Sequence, residues 1–268
     1  MVTIGLVGCG SIGSQLAKAI QHQFQGKARL IGIYDQHPGQ AKQLAHRLNP
    51  RVPILPVKKL VSKSDLVIEA ASAHAVGELL PQVMARRKAL LVMSAGGLLK
   101  HPKLLQRAIR SGTCVYLPSG ALLGLDGIKA GAVGRLRSVT LTTRKPPKAF
   151  QGAPGVGKRR IRLDQIRGPR LLFQGSAAQA VAAFPQNINV AATLALAGIG
   201  PVRTRVRVIA DPTIRKNIHE VEARGDFGRL WCRTENQPSR ENPKTSQLAV
   251  LSAIATLKQI LQPLKVGT

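Results

Sequence analysis

Three glycines near the amino terminus have the clearest chemical meaning in the sequence. Gly8, Gly10 and Gly13 form a G-x-G-x-x-G pattern after an apolar segment and at the start of a stretch with helical spacing. There the first glycine permits a tight turn, the second lets a pyrophosphate approach the backbone, and the third allows close helix–strand packing. Because N–H groups at a helix start attract phosphate, we predict a dinucleotide site that includes Ser11 and Ile12.

An acidic residue and two small residues extend this predicted site. Asp35 ends the second apolar segment, 22 residues after Gly13. A carboxylate there accepts hydrogen bonds from ribose hydroxyls and repels a 2′-phosphate, which favours NAD, with NADP as a possible second cofactor. Ala71 and Ser72 follow the third apolar segment, at the edge of the sheet where such ligands bind. We therefore include both residues among the cofactor contacts.

The first 120 residues alternate short apolar runs with stretches of helical spacing. This alternation predicts an α/β fold with a Rossmann-type, doubly wound parallel sheet. The predicted strands cover residues 3–7, 30–34, 66–69, 90–93 and 115–117, and the predicted helices cover residues 12–21, 39–48, 76–87 and 102–111.

The pattern changes near residue 119, where alternating strands begin to dominate. Strands are predicted over residues 139–143, 206–210, 221–224 and 229–233, the last two joined in a hairpin across residues 225–228. An apolar-faced helix over residues 248–261 is expected to return to the first domain. We therefore predict a dinucleotide-binding domain, residues 1–120 completed by 244–268, and a second α+β domain, residues 121–243, for substrate, catalysis and oligomerisation.

Composition excludes several classes of protein. The chain has 40 Lys+Arg against 12 Asp+Glu, a formal charge of +28, yet only 3% aromatic residues. A nucleic-acid site usually interleaves basic and aromatic residues, so we interpret the charge as a solvated surface and expect no specific nucleic-acid partner. Three cysteines without C-x-x-C spacing predict no metal site and a reducing, cytoplasmic setting. No run of eighteen apolar residues occurs, so no membrane partner is expected.

Five stretches in the second half of the chain carry a more specific signal. They read S-G-A at residues 119–121, T-T-R-K-P-P at 142–147, F-P-Q-N-I-N-V-A-A at 184–192, N-I-H-E at 217–220 and E-N-P-K-T-S at 241–246. In this order they resemble the L-aspartate dehydrogenase family, and the similarity covers essentially the whole chain. The resemblance implies reversible, NAD(P)-dependent oxidation of L-aspartate to iminoaspartate, then oxaloacetate and ammonia. It also implies a homodimer or homotetramer and a link to NAD biosynthesis.

The resemblance also implies roles for individual residues. The active-site histidine of the family falls on His219, and its cofactor-contacting positions fall on Ala121 and Asn189. Histidine suits the role of a general base because its ordinary pKa is near neutral. His74, which follows a predicted strand near the cofactor site, is a secondary candidate for the base.

A substrate with two carboxylates needs fixed cations, and we consider two residues for that role. Arg144 and Lys244 are candidate carboxylate partners, with solubility of the surface as the alternative for both. Asn187 is a further candidate for substrate binding, and helix capping is its alternative role. Two other functions stay open at this point: a two-domain Rossmann reductase acting on a cyclic imine dicarboxylate, and a non-enzymatic, cofactor-responsive protein that binds nucleic acid.

Overall fold

The computed structural model describes residues 1–158, 160–185, 189–239 and 245–267. The chain divides into two compact units, of which the first comprises Met1–Pro118 and Val250–Val266, and the second Ser119–Ala249. Within the described ranges, no helix has the length and apolar character needed to cross a membrane.

The first unit is a parallel sheet flanked by helices, as the alternating apolar pattern predicts. Its strand order is β2–β1–β3–β4–β5, and every adjacent pair is parallel. Ile4 and Leu6 of the central strand are fully buried because helices cover both faces of such a sheet. The strands are β1 (Val2–Val7), β2 (Ala28–Tyr34), β3 (Leu66–Glu69), β4 (Ala89–Val92) and β5 (Val115–Tyr116). The helices are α1 (Ser11–Gln23), α2 (Pro38–Arg47), α3 (Val57–Lys63), α4 (Ala73–Ala85), α5 (Gly96–Lys100) and α6 (Pro102–Arg110).

The second unit contains a mixed sheet with helices packed on one face. Its strand order is β10–β9–β6–β8–β7, with β6 and β8 parallel and the other neighbours antiparallel. The apolar side chains of this face pack with those of the helices in one core. The strands are β6 (Leu136–Lys145), β7 (Arg170–Ser176), β8 (Arg205–Ala210), β9 (Asn217–Gly225) and β10 (Gly228–Asn236). The helices are α7 (Leu125–Val133), α8 (Pro154–Gly157), α9 (Ala177–Ala183) and α10 (Asn189–Ala197).

Most of the predicted elements occur within a few residues of their expected positions. The hairpin is confirmed, because β9 and β10 pair around Gly225 and Gly228. The final helix is α11 (Gln247–Leu261), and its Ala253 and Leu257 belong to the core of the first unit. Sequence periodicity missed α3, α5, α8 and β7. α3 and α5 span only seven and five residues, too few for a helical repeat to be recognisable.

Candidate functional site

The glycine turn between β1 and α1 has a geometry that side chains would disturb at two of its three glycines. Gly8 has φ +102°, and a Cβ atom at Gly8 would lie 2.4 Å from the carbonyl oxygen of Ala70. A Cβ atom at Gly13 would lie 1.9 Å from the carbonyl oxygen of Gly8, because α1 packs closely against the turn. At Gly10 a Cβ atom would meet nothing within 4 Å, so open space lies beside the backbone there.

Gly10, the residue before α1, lines a groove in the first unit. Gly10 is the N-cap residue, and no side chain in the described part of the chain caps the helix there. The first-turn N–H groups, including those of Ser11 and Ile12, are therefore suited to bind phosphate. The groove has a volume of about 840 Å³ and is lined by predicted cofactor residues of the first unit. Those lining residues are Gly8, Gly10, Asp35, Ala71 and Ser72.

Asp35 is held rigidly beside the glycine turn. Its Oδ2 accepts a hydrogen bond from the backbone N–H of Cys9 at 2.7 Å, and its Oδ1 accepts one from the backbone N–H of His37 at 2.8 Å. The carboxylate is thereby oriented at the end of β2, where it lines the groove. Burial and the nearby Asp35 charge raise the pKa of the Cys9 thiol to about 12, so Cys9 is an unreactive thiol at neutral pH.

Glu69 is a buried carboxylate that sequence reasoning did not identify. It is 0% exposed at the end of β3, where Oε1 accepts a hydrogen bond from the backbone N–H of Ala71 at 2.8 Å. Its Oε2 accepts one from the backbone N–H of Ser94 at 2.9 Å, so Glu69 joins the loops after β3 and β4. Burial raises the pKa of Glu69, and these hydrogen bonds oppose that rise. Glu69 therefore positions the loop that carries Ala71 and Ser72. The sequence signal for Glu69 was a charged residue at the end of an otherwise apolar strand.

Polar side chains replace apolar ones at one end of the second sheet. Along β6, the inward residues change from Val139 and Leu141 to Thr143 and Lys145, and β9 and β10 change in the same way. We call this group the polar end of the sheet, and its members are between 0% and 8% exposed. They are Thr143 and Lys145 on β6, Asn217 and His219 on β9, and Thr234 and Asn236 on β10.

His219 lies in the middle of this polar end. It is opposite Thr143 on β6 and opposite Thr234 on β10, and Thr143 Oγ1 lies 3.1 Å from His219 Nδ1. With the proton on Nδ1, that nitrogen donates to Thr143 and leaves the Nε2 lone pair for a substrate proton. Burial and the charge of Lys145 lower the pKa of His219 to about 3. The pKa therefore lies below the ordinary near-neutral value of histidine, because burial disfavours the charged imidazole.

The structure joins the loop of Ala121 to the same end of the sheet. The carbonyl oxygen of Ala121 accepts hydrogen bonds from Thr234 Oγ1 at 3.1 Å and Asn236 Nδ2 at 3.2 Å. Asn189 is the first residue of α10, and the next residue, Val190, lies beside Gly120 of that loop. The second unit therefore brings Ala121, Asn189 and His219 into one region, whereas the glycines and Asp35 belong to the first unit.

The structure does not place Arg144 with His219. Successive residues of a strand point to opposite faces, so Arg144 lies on the face opposite Thr143 and Lys145. Arg144 NH1 forms an ion pair with Asp211 Oδ2 at 3.2 Å. The interpretation of Arg144 as a carboxylate partner is therefore corrected: the inward cation of this motif is Lys145. Asn187 and Lys244, the other substrate candidates, lie outside the described residues.

The signal that could have identified the other residues of the polar end was the two-residue spacing of polar side chains in strands. Thr143 and Lys145, Asn217 and His219, and Thr234 and Asn236 are each two positions apart, and so share a face. His74, the secondary candidate for the base, is on α4, where its exposed side chain lies 3.2 Å from Glu78 and lines the cofactor groove.

Comparisons with known proteins agree with the order of the two units. A family model described as the NAD-binding domain of homoserine dehydrogenase matches residues 8–118. A second model, described as the C-terminal domain of aspartate dehydrogenase, matches residues 126–260.

Relatives of similar length extend this match to the whole chain. The chain is 45% identical to L-aspartate dehydrogenase of Methanocella arvoryzae and 46% identical to that of Methanosarcina barkeri, with full coverage of both chains in each case. The solved structure of aspartate dehydrogenase from Thermotoga maritima matches with a TM-score of 0.76 at 25% identity, again over all of both chains. A homoserine dehydrogenase from Thiobacillus denitrificans, at 13% identity and a TM-score of 0.62, shares the fold over 97% of this chain and 73% of its own.

Proposed function

The chain belongs to the L-aspartate dehydrogenase family, and from this premise we propose that it is an NAD(P)-dependent oxidoreductase that removes the amino group of L-aspartate. The observation that carries the proposal is His219, which is buried at the polar end of the sheet with its Nδ1 3.1 Å from Thr143 Oγ1. With the proton on Nδ1, Nε2 has the lone pair that a general base uses. The function as a cyclic imine reductase or a nucleic-acid-binding protein has no comparable support, because the relatives match over the full chain.

The proposed chemistry assigns His219 two proton transfers. Its Nε2 first accepts a proton from the substrate ammonium, so that the nitrogen lone pair can form the C=N bond as the Cα hydrogen leaves with its electron pair. Bound NAD(P) supplies the acceptor for that hydride. After the imidazolium has released this proton to solvent, Nε2 accepts a proton from the water that adds to the imine carbon, and collapse of the resulting carbinolamine gives oxaloacetate and ammonia. Carboxylates of the bound substrate stabilise the imidazolium that forms, because opposite charge raises a histidine pKa.

Residues of the first unit are proposed to bind the cofactor. The first-turn N–H groups of α1 would hold the pyrophosphate, and Asp35 would hold the ribose hydroxyls. Glu69 keeps the loop of Ala71 and Ser72 in place. The family resemblance implies further cofactor contacts at Ala121 and Asn189.

A panel of L-amino acids with NAD and NADP, followed by absorbance of the reduced nicotinamide, tests the proposed function. We expect reduction with L-aspartate and no comparable reduction with L-glutamate, L-alanine or L-homoserine. Absence of aspartate-dependent reduction with both cofactors, from protein that binds NAD, would contradict the proposal.

Asp35→Ser should narrow the preference for NAD. The Asp35 carboxylate hydrogen-bonds a free ribose hydroxyl and repels a 2′-phosphate. Its loss should therefore raise kcat/KM for NADP, relative to kcat/KM for NAD, by about tenfold. The measurement is kcat/KM for both cofactors at saturating aspartate.

Asp126→Ser is the matched control for this experiment, because it removes the same charge from an exposed position on α7. It should leave the cofactor ratio unchanged. A parent enzyme that uses NADP as well as NAD would show that Asp35 does not select the cofactor.

Oligomeric state and location are further parts of the proposal. The family resemblance favours a homodimer or homotetramer, and Trp231 on β10 is 57% exposed in the single chain. Light scattering should therefore give two or four times the mass of one chain, and a monomeric mass would contradict this expectation.

The three free cysteines are consistent with a cytoplasmic location. Delivery of iminoaspartate to NAD biosynthesis stays a prediction.

A further inference from the structure

Lys145 is a buried cation for which the proposed chemistry has so far given no role. It is 6% exposed at the carboxyl end of β6, two residues after Thr143, and so on the face of the sheet that His219 occupies. The side chain is close enough for its charge to lower the pKa of His219.

We propose that Lys145 is a substrate-binding residue whose ammonium group binds a carboxylate of L-aspartate beside His219. This inference rests on the proposed function. L-Aspartate has two carboxylates and needs fixed cations, and Lys145 is the cation among the six residues of the polar end. Arg144, the neighbouring cation, lies on the other face of the sheet.

The proposal predicts a pH dependence of anion binding. Burial lowers the pKa of Lys145 to about 8, so a rising pH removes the positive charge that binds the carboxylate. Of the ionisable groups that the structure describes nearby, His219 on β9 faces Lys145, and its pKa of about 3 is far below this range. Arg144, on the opposite face of β6, pairs with Asp211, which follows β8.

Binding of succinate to the NAD-loaded protein, measured by calorimetry between pH 6.5 and 9.5, tests this inference. Succinate has the same two carboxylates as aspartate but lacks the ammonium, so the ligand itself does not titrate above neutral pH. For the parent, Kd should rise above a pH of about 8, approaching about tenfold for each pH unit, as expected when one protonated group is required.

Three variants separate the charge of Lys145 from its volume. Lys145→Met should raise Kd for succinate at pH 7 by at least about tenfold and abolish its pH dependence, because the methionine fills similar space without charge. Lys145→Arg should retain binding and lose the pH dependence, because guanidinium stays charged in this range. The control Lys148→Met changes an exposed lysine three residues away and should behave as the parent.

Two results would overturn the assignment. One is a Lys145→Met protein that binds NAD as the parent does and also binds succinate with parental affinity. The other, which needs no variant and so does not depend on folding, is a parental Kd for succinate that is constant from pH 7 to 9.5. If the parent oxidises aspartate while either result is obtained, only the role of Lys145 fails. If the parent does not oxidise aspartate, the proposed function fails.

Discussion

His219→Ala should lower kcat for aspartate oxidation by about 10²- to 10⁴-fold, because it removes the group proposed to accept the substrate proton. Binding of NAD should be nearly unchanged, since the glycine turn and Asp35 belong to the first unit. His219→Asn is the sharper variant, because it retains hydrogen bonding at a buried position but cannot accept a proton near neutral pH. The measurements are single-turnover reduction of NAD and NAD affinity.

His46→Ala is the control, since His46 is an exposed histidine on α2. It should keep parental turnover. Near-parental kcat in a folded His219→Asn protein would show that another group is the base.

The pH dependence of the parent follows from the lowered pKa of His219. Its ordinary pKa of 6.5 falls to about 3 in the folded chain, so kcat/KM should show no loss near pH 6.5 from this residue. The lowered pKa also affects stability, because His219 binds a proton more readily in the unfolded chain than in the folded chain. The free energy of unfolding should therefore decrease as pH falls from about 6.5 towards about 3, and His219→Asn should reduce that decrease.

Gly10→Ala and Gly13→Ala should both abolish tight NAD binding, but for different reasons. At Gly10 the added Cβ meets no protein atom within 4 Å, so the fold should be retained while the methyl group occupies the path of the pyrophosphate. We expect Kd for NAD to rise by about 100-fold, corresponding to about 2.7 kcal/mol of binding free energy. At Gly13 the Cβ would lie 1.9 Å from the carbonyl oxygen of Gly8, so the backbone must move and thermal stability should fall as well.

Gly39→Ala is the matched control, because it adds the same methyl group to an exposed part of α2 with nothing within 4 Å. It should leave NAD affinity unchanged and slightly raise stability, since alanine is the better helix former. Calorimetric NAD binding and thermal unfolding of the three variants distinguish these effects. A Gly10→Ala protein with parental NAD affinity would show that the pyrophosphate does not pass over Gly10.

Much of the fold could be predicted because its signals are local. Each strand of the first unit is a short apolar run, and α1 follows a glycine pattern whose three positions have separate backbone roles. The helix over residues 247–261 repeats apolar residues every three or four positions, so it could also be predicted from the sequence. Glu69 was missed because a single acidic residue at a strand end does not reveal the two loops that it joins.

Local sequence patterns were sufficient to predict the order of the two units and the glycine turn with Asp35, and the family resemblance selected His219. The lowered pKa of His219 and the choice between Arg144 and Lys145 depend instead on how the strands pair in the folded chain. Thr143 and His219 are 76 residues apart in the chain, and they meet because β6 pairs with β9. Burial and charge act through space, so the low pKa of the imidazole and the inward direction of the lysine follow from that pairing of distant strands.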